Sequence, residues 1–277
     1  KDRDKMVDTV YINLRKNSID KNQLMILDML ANFDWQRPIY MTQVYILQDF
    51  GLMDYLQFDG YAYRFVPILT PVQNPWEIGR VDADYAAPLL RDTFRYGNLS
   101  DPKVYADYFI QYNLSASHAR DSFARVAKEL LRQNRAQEAV ELLDLGLERM
   151  PTWQIRFTDT NTYPFLEAYY AASAMGVEEA AAKGDALRGY AQTLIEYIEY
   201  YLRFEGTQGD MVSPILDEKL DQLGDIYYLA TYAGRKDVVA ELNTYYRSLG
   251  VSEDNLVDVG DKPRQADTTL IPKGMNE

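Results

Sequence analysis

The side chains that most often do chemistry in proteins are scarce or scattered in this sequence. Cysteine is absent and His118 is the single histidine, which excludes thiolate metal sites, cysteine nucleophiles and disulfides. A Ser-His-Asp triad would have to use His118, and a zinc site would contain one imidazole. His118 lies in LSASHARDSF, a polar helix start, which favours an exposed or capping role.

Carboxylates are plentiful, but their spacing does not single out an acid and a base. A glycosidase-like pair needs two carboxyl groups at a defined separation, and the segment RVDADY lacks the glycine and distal glutamate of a full calcium loop. We therefore predict no catalytic residue, no metal ligand and no cofactor site. The candidate carboxylates fall in predicted loops, at Asp82, Asp84, Asp159, Glu205 and Asp210.

Aromatic side chains form the longest regular rows, in a chain with 23 tyrosines. Some recur at helical spacing and others alternate along a predicted strand. Buried packing is the simpler interpretation of such rows, and the alternative is an exposed surface that stacks on sugars or holds a peptide. The candidate ligand surface comprises Tyr190, Tyr197, Tyr201, Tyr61 and Tyr63.

Composition and charge limit the classes of partner. The 277-residue chain is 47% apolar and 26% charged, which is typical of a folded protein with one large or two modest domains. Its net charge of −13 argues against nucleic acid and against a polybasic contact with anionic lipid. No run approaches the about 18 apolar residues of a membrane span. Because the chain starts at Lys1 rather than methionine, we expect a processed product or a piece of a longer protein.

An amphipathic helix is predicted near the N-terminus. Asp20 as N-cap and Gln23 as its N3 partner form a capping box. The helix should run from Lys21 to about Phe33. Its inward side chains are predicted to be Leu24, Met25, Leu27 and Leu30.

A small sheet is predicted after this helix. The segment RPIYMTQVYIL, Arg37–Leu47, is rich in β-branched and aromatic residues and favours a strand. The runs YLQF and YAYRFVPI flank Asp59 and Gly60, which indicates a hairpin, because a type I′ turn needs positive φ at both central positions. The hairpin tyrosines share one face with Phe65, and the N-terminal helix would cover that face.

The segment FARVAKELLRQNRAQEAVELLDLGLERMP matches the pattern of one tetratricopeptide repeat, a pair of antiparallel helices. Phe123 occupies the large aromatic position. Ala139 and Gly146 occupy small positions that let one helix approach the other. A looser copy begins at Leu223, so we expect a helical repeat array.

The predicted fold is mainly α (α+β), a tetratricopeptide-like helical-hairpin array with a small N-terminal β-hairpin or sheet layer. Two further helices, over Tyr163–Met175 and Asp185–Phe204, would complete three stacked helix pairs. The predicted divisions are an α/β layer over 1–81, a helical domain over 82–250 and an irregular tail over 251–277.

The segment LMILDMLANFDWQRPIYMTQVYILQDFGLMDYLQFDGYAYRFVPI resembles a known family. It is similar to the C-terminal soluble region of bacterial multi-pass membrane proteins listed as domain-of-unknown-function family 2723. These are also classed as glycosyltransferase family 117 and are related to an animal membrane O-mannosyltransferase. The segments FRYGNLSDPKVYADYFIQYN and PTWQIRFTDTNTYPFLEAYY resemble the same family. The matching residues include Asp28, Asn32, Trp35, Arg37, Pro38, Ile39, Tyr40, Tyr55, Leu56, Asp59, Gly60, Tyr63, Arg64, Val66 and Pro67.

The resemblance implies a non-catalytic accessory domain on the extracytoplasmic, periplasmic side of the inner membrane. Related transferases use lipid-linked sugars and hold their catalytic acid among membrane helices, so no catalytic residue carries over to this chain. The implied partners are the protein's own upstream membrane domain and a protein or glycan acceptor, held near Tyr197 and Tyr201. The alternatives are a free-standing tetratricopeptide-like glycan- or peptide-binding protein of the cell envelope, and a carboxylate hydrolase acting alone.

Overall fold

The fold is mainly α with a small sheet, as predicted. The computed structural model describes residues 2–14, 17–71, 77–107, 109, 116–155, 159–186 and 188–250. The chain divides into two compact units, Lys1–Arg95 and Tyr96–Glu277.

The first unit combines short helices with a four-stranded sheet. Its helices are α1 (Lys21–Ala31), α2 (Tyr45–Gln48) and α3 (Ala83–Pro88), the last continuing as a π-helical turn over Leu89–Thr93. Its strands are β1 (Tyr40–Met41), β2 (Leu56–Phe58), β3 (Tyr63–Phe65) and β4 (Arg80–Val81). The strand order is β1-β3-β2-β4, with β4 parallel to β2 and the other pairs antiparallel.

The predicted capping box begins α1. The Asp20 side chain accepts a hydrogen bond from the Gln23 backbone N–H at 2.9 Å, and the Gln23 side chain accepts one from the Asp20 backbone N–H at 3.1 Å. The Gln23 amide also donates to Asp49 Oδ2 at 2.7 Å. The cap therefore starts the helix and links it to the residue that follows α2.

The inward face of α1 differs in part from the prediction. Ile26, Leu27 and Leu30 pack against the core of the first unit. Leu24 and Met25 are exposed, so their predicted inward placement is wrong. Because α1 is apolar around much of its circumference, periodicity alone leaves more than one inward face available.

The predicted strand over Arg37–Leu47 is only partly correct. Strand β1 covers two residues, and the chain turns into α2 at Tyr45. Leu47 and Phe50 are fully buried in the core that also contains Leu56. Short apolar runs fit either a strand or a buried helical turn, and here core packing decides for the turn.

Strands β2 and β3 form the predicted hairpin, but its turn differs. The Asp59 backbone N–H donates to the Ala62 carbonyl at 2.9 Å, which places Gly60 and Tyr61 at the centre of the turn. Gly60 has φ of 96°, whereas neither neighbour has positive φ. Glycine at the first central position is typical of a type II′ turn, so the predicted type I′ turn is wrong.

The second unit is an array of helices. Their bounds are α4 (Ala116–Arg132), α5 (Ala136–Arg149), α6 (Asp159–Ala174), α7 (Glu178–Ala186), α8 (Gly189–Leu202), α9 (Glu205–Tyr232) and α10 (Lys236–Ser248). Helix α6 packs against α4, α5 and α7, and α9 packs against α6, α8 and α10. Helix α9 is bent at Gln208, where φ of −139° and ψ of 33° depart from helical values.

Helices α4 and α5 pack closely where the sequence predicts a small residue. A Cβ added to Gly146 would lie 2.9 Å from Cγ of Phe123, and Ala139 is fully buried. A buried ion pair between Lys128 and Glu167 also joins α4 to α6. The small residues thus permit the helix approach that the repeat pattern requires, while the tetratricopeptide assignment stays a prediction.

Two helix boundaries differ from the sequence prediction. The helix predicted over Asp185–Phe204 is divided, because α7 ends at Ala186 and α8 begins at Gly189. The predicted loop around Glu205 and Asp210 belongs to α9. Glycines in this stretch lower helix propensity by about 1 kcal/mol each, and the packing of α9 against its neighbours overrides that preference.

Candidate functional site

One face of the sheet carries a row of polar side chains, one from each strand. In spatial order these are Tyr40, Arg64, Gln57 and Arg80, which pair with one another across the sheet. Residues paired across strands point to the same face, so the four side chains lie side by side. We call these four residues the polar row. The opposite face is apolar and includes the buried Leu56.

Asp59 lies beneath the polar row. Its Oδ1 accepts a hydrogen bond from Gln57 Nε2 at 2.8 Å, and its Oδ2 lies 3.1 Å from Arg64 Nε. The Arg64 guanidinium also lies 4.6 Å from the centroid of the Tyr85 ring. Burial raises the pKa of Asp59, although the Gln57 hydrogen bond and the Arg64 charge oppose that shift. Both carboxylate oxygens therefore help to position neighbouring side chains.

The two ends of the polar row are held differently. At one end, Arg80 donates to Gln57 Oε1 at 3.1 Å and to Asp2 Oδ2 at 2.6 Å. At the other end, burial raises the pKa of Tyr40, and its hydrogen bond with Tyr85 acts in the same direction. The Tyr40 hydroxyl thus stays protonated at neutral pH and is engaged within the first unit.

The hairpin tyrosines of the candidate ligand surface are half-buried. Tyr61 lies 4.5 Å from Phe94 and Tyr63 lies 5.3 Å from Phe58, between ring centroids. Both contacts are internal to the first unit. These rings are therefore largely engaged in packing beside the hairpin, with part of each ring left accessible.

The helical tyrosines of the candidate ligand surface differ in exposure along α8. Tyr190 is buried at 7% exposure, whereas Tyr197 is 49% exposed and Tyr200 is 53% exposed. The Tyr200 ring centroid lies 5.4 Å from that of Tyr201 and 5.2 Å from that of Phe204. We call Tyr197, Tyr200, Tyr201 and Phe204 the aromatic patch. Tyr200 and Phe204 were not among the predicted site residues; Tyr200 lies on α8, and Phe204 lies between α8 and α9.

A second surface feature lies beside α8. A groove of about 680 Å³ separates α8 from α10. Sequence reasoning missed this groove, because its walls come from two helices that are not consecutive in the chain. No pattern within either helix specifies a groove between them.

The residues first considered for chemistry lie elsewhere. Asp82 caps α3, where its Oδ1 accepts a hydrogen bond from the Tyr85 backbone N–H at 3.3 Å. His118 lies in the first turn of α4, and Asp159 begins α6; the side chains of both lie outside the described part of the structure. Across the described residues, no group of three or more histidines and carboxylates is placed to hold a metal ion.

Comparisons with known proteins concern the N-terminal part of the chain. No curated protein and no solved structure matches this sequence. Among the described helices, none combines the length and hydropathy needed to cross a bilayer. Residues 1–85, which include the polar row and Asp59, match the family model of TMEM260-associated domain 2, a membrane-protein-associated domain family.

Proposed function

We propose that this chain is a non-catalytic, extracytoplasmic accessory domain of a multi-pass membrane glycosyltransferase-like protein. In that setting it binds or positions a protein or glycan acceptor. The match of residues 1–85 to a domain family associated with a membrane protein supports the membrane context. The resemblance to family 2723 and glycosyltransferase family 117 supports the transferase context and the periplasmic side. A tetratricopeptide-like array would serve as the scaffold.

The aromatic patch is the observation that carries the binding role. The Tyr200 ring contacts those of Tyr201 and Phe204. Tyr197, Tyr200 and Phe204 are exposed near the end of a packed helix. Clustered exposed aromatic rings are a feature of interaction surfaces. Their faces can stack on the C–H faces of sugar rings or cover apolar peptide side chains. Because α8 packs along α9, the rings are presented on a supported element.

Binding of soluble oligosaccharides to the 277-residue chain tests this role. We expect Tyr197→Ala and Tyr200→Ala to reduce binding measured by titration calorimetry, with little change in melting temperature, because both rings are exposed. The matched control is Tyr105→Ala, which removes an 84% exposed tyrosine of the same unit outside the patch. Equal loss in the control, or loss of folding in the patch variants, would contradict the proposal.

Cell fractionation tests the membrane context. An antibody raised against this chain should detect a membrane-bound polypeptide much larger than 32.0 kDa, because the accessory domain would be part of a multi-pass protein. A soluble band near 32.0 kDa would refute that context. It would favour a free-standing glycan- or peptide-binding protein of the cell envelope.

A further inference from the structure

Helices α8 and α10 form the two walls of the groove and run in the same direction. Both helices pack against α9. At one end, Arg188 beside α8 donates to Asp237 at 2.8 Å and to Glu241 at 3.1 Å, both on α10. Towards the other end, the charge of Glu199 acts on Tyr245. The volume of about 680 Å³ lies within the range of sites that bind small ligands or peptide segments.

The lining of the groove is apolar in its floor and polar along its rim. Rim residues include Gln192, Glu199 and Thr244, all of them exposed. An occupant that matches this lining needs apolar groups directed inward and polar groups directed outward. The floor is formed by Ala191, Ile195, Val238 and Leu242.

The charged groups around the groove favour a cation. Arg188 is already engaged by Asp237 and Glu241. Glu199 has no hydrogen-bond or ion-pair partner among the described residues. Arg235 also pairs with Asp237 at 3.0 Å, so the carboxylates at that end of the groove are matched by guanidinium groups of the protein. The carboxylate of Glu199 is available to an incoming ammonium or guanidinium group.

Tyr245 provides a second polar group in this wall. Its hydroxyl is shielded from solvent and has no hydrogen-bond partner in the described part of the chain. Burial, with a contribution from the Glu199 charge, raises the pKa of Tyr245 to about 12, so the hydroxyl is protonated at neutral pH. Tyr245 is therefore an uncharged part of the wall, and Glu199 supplies the negative charge that an occupant would meet.

We propose that the groove between α8 and α10 binds an extended, basic segment of a protein partner. Its apolar side chains would cover the floor, and a lysine or arginine side chain would pair with Glu199. From Arg188 to Glu199, α8 rises about 17 Å, at about 1.5 Å per residue, which equals the length of about five extended residues. The inference rests on the proposed function and specifies the acceptor as a polypeptide with basic residues.

Fluorescence anisotropy with a labelled, end-capped heptapeptide of alternating leucine and lysine tests the inference on the 277-residue chain. We expect this peptide to bind, and its counterpart with glutamate in place of lysine not to bind. Glu199→Gln removes one charge at constant shape and should weaken binding about tenfold, the scale of one charge-assisted contact. The matched control is Glu196→Gln, an exposed glutamate of α8 outside the groove, and it should leave the affinity unchanged.

A steric variant checks the location of the peptide. Thr244 is exposed on the rim, and its hydroxyl bonds within its own helix to the Ala240 carbonyl, so Thr244→Trp should fill the groove and abolish binding without unfolding α10. Circular dichroism verifies the fold of this variant, and Glu199→Gln provides the decisive test if it unfolds. Absence of binding, equal affinity for both peptides, or wild-type affinity of Glu199→Gln would overturn the inference.

The same titrations separate this inference from the proposed function. Tyr200→Ala reports on the aromatic patch and Glu199→Gln reports on the groove, because Tyr200 does not line the groove. Peptide binding that depends on Tyr200 and not on Glu199 would overturn the groove as the site while supporting the aromatic patch. Oligosaccharide binding that depends on Tyr200, together with lysine-dependent peptide binding at Glu199, would support both.

Discussion

Replacing Gly146 by alanine tests the close approach of α4 and α5. The added Cβ would lie 2.9 Å from Cγ and 3.1 Å from Cβ of Phe123. Ordinary van der Waals contact begins near 3.4 Å, so the shorter contact must lengthen by 0.5 Å (3.4 − 2.9). Phe123 is fully buried, and its Cβ is attached to the backbone. Rotation of the ring cannot relieve both contacts, so the helices must separate.

The expected magnitude follows from two opposing terms. Overpacking of a well-packed core costs about 1–3 kcal/mol, whereas glycine to alanine within a helix gains about 1 kcal/mol from propensity. We therefore expect Gly146→Ala to lower the free energy of unfolding by about 1 kcal/mol. For a unit of this size, that loss lowers the melting temperature by about 2–4 °C.

Urea and thermal unfolding of four variants provide the assay: Gly146→Ala, Gly209→Ala, Phe123→Leu and Phe123→Leu/Gly146→Ala. Gly209→Ala is the control, because a Cβ there meets nothing within 4 Å, so it reports propensity without a clash. In Phe123→Leu/Gly146→Ala the smaller side chain should accommodate the new methyl group. The loss of unfolding free energy in the double variant should then be smaller than the sum of the two single losses, by at least about 0.5 kcal/mol. Equal stability of Gly146→Ala and Gly209→Ala, or simple addition of the Phe123→Leu and Gly146→Ala losses, would contradict the close helix contact at Gly146.

Three further predictions concern ionisable side chains, each measured by urea unfolding. Glu167→Leu removes the carboxylate of a buried ion pair with Lys128 and should lower the free energy of unfolding by about 3 kcal/mol, because it leaves a buried charge without its partner. The double variant Lys128→Met/Glu167→Leu should regain most of that loss. The Arg80 hydrogen bond lowers the pKa of Asp2 from 3.8 to about 2. The ionised Asp2 carboxylate therefore stabilises the fold above pH 3.8, and this stabilisation is lost as the pH falls through 2. Asp2→Asn should flatten the dependence of the unfolding free energy on pH in that interval. Burial raises the pKa of Tyr170 from 10.0 to about 12, so stability should decrease as the pH rises across that interval, and less steeply in Tyr170→Phe.

Features that depend on residues close in sequence were predictable, because the interacting groups lie only a few positions apart. The capping box joins Asp20 to Gln23, three positions apart. The β2–β3 hairpin likewise depends on one turn. The turn type was not predictable, because Asp59 and Gly60 can occupy more than one pair of positions in a tight turn. The register of the two strands decides which positions they take.

The candidate site was predictable in part. Helical spacing was enough to place Tyr197 and Tyr201 on one helix with Tyr190, but not to say which rings are exposed. Tertiary packing decides that difference, since it buries Tyr190 and leaves Tyr197 accessible on the same helix. Periodicity records that a face is apolar and does not record how far the neighbouring helix extends along it.

By itself, the sequence determined the mainly helical class, the start of α1, the hairpin and the small residue at Gly146, because each depends on local propensity or nearby spacing. Tertiary structure alone decided the inward face of α1, the parallel pairing of β4 with β2, and the polar row. It also decided the groove between α8 and α10. Each of these features involves segments that are far apart in sequence. Their geometry depends on which surfaces pack together and exclude water, and the pattern of a single segment does not specify that.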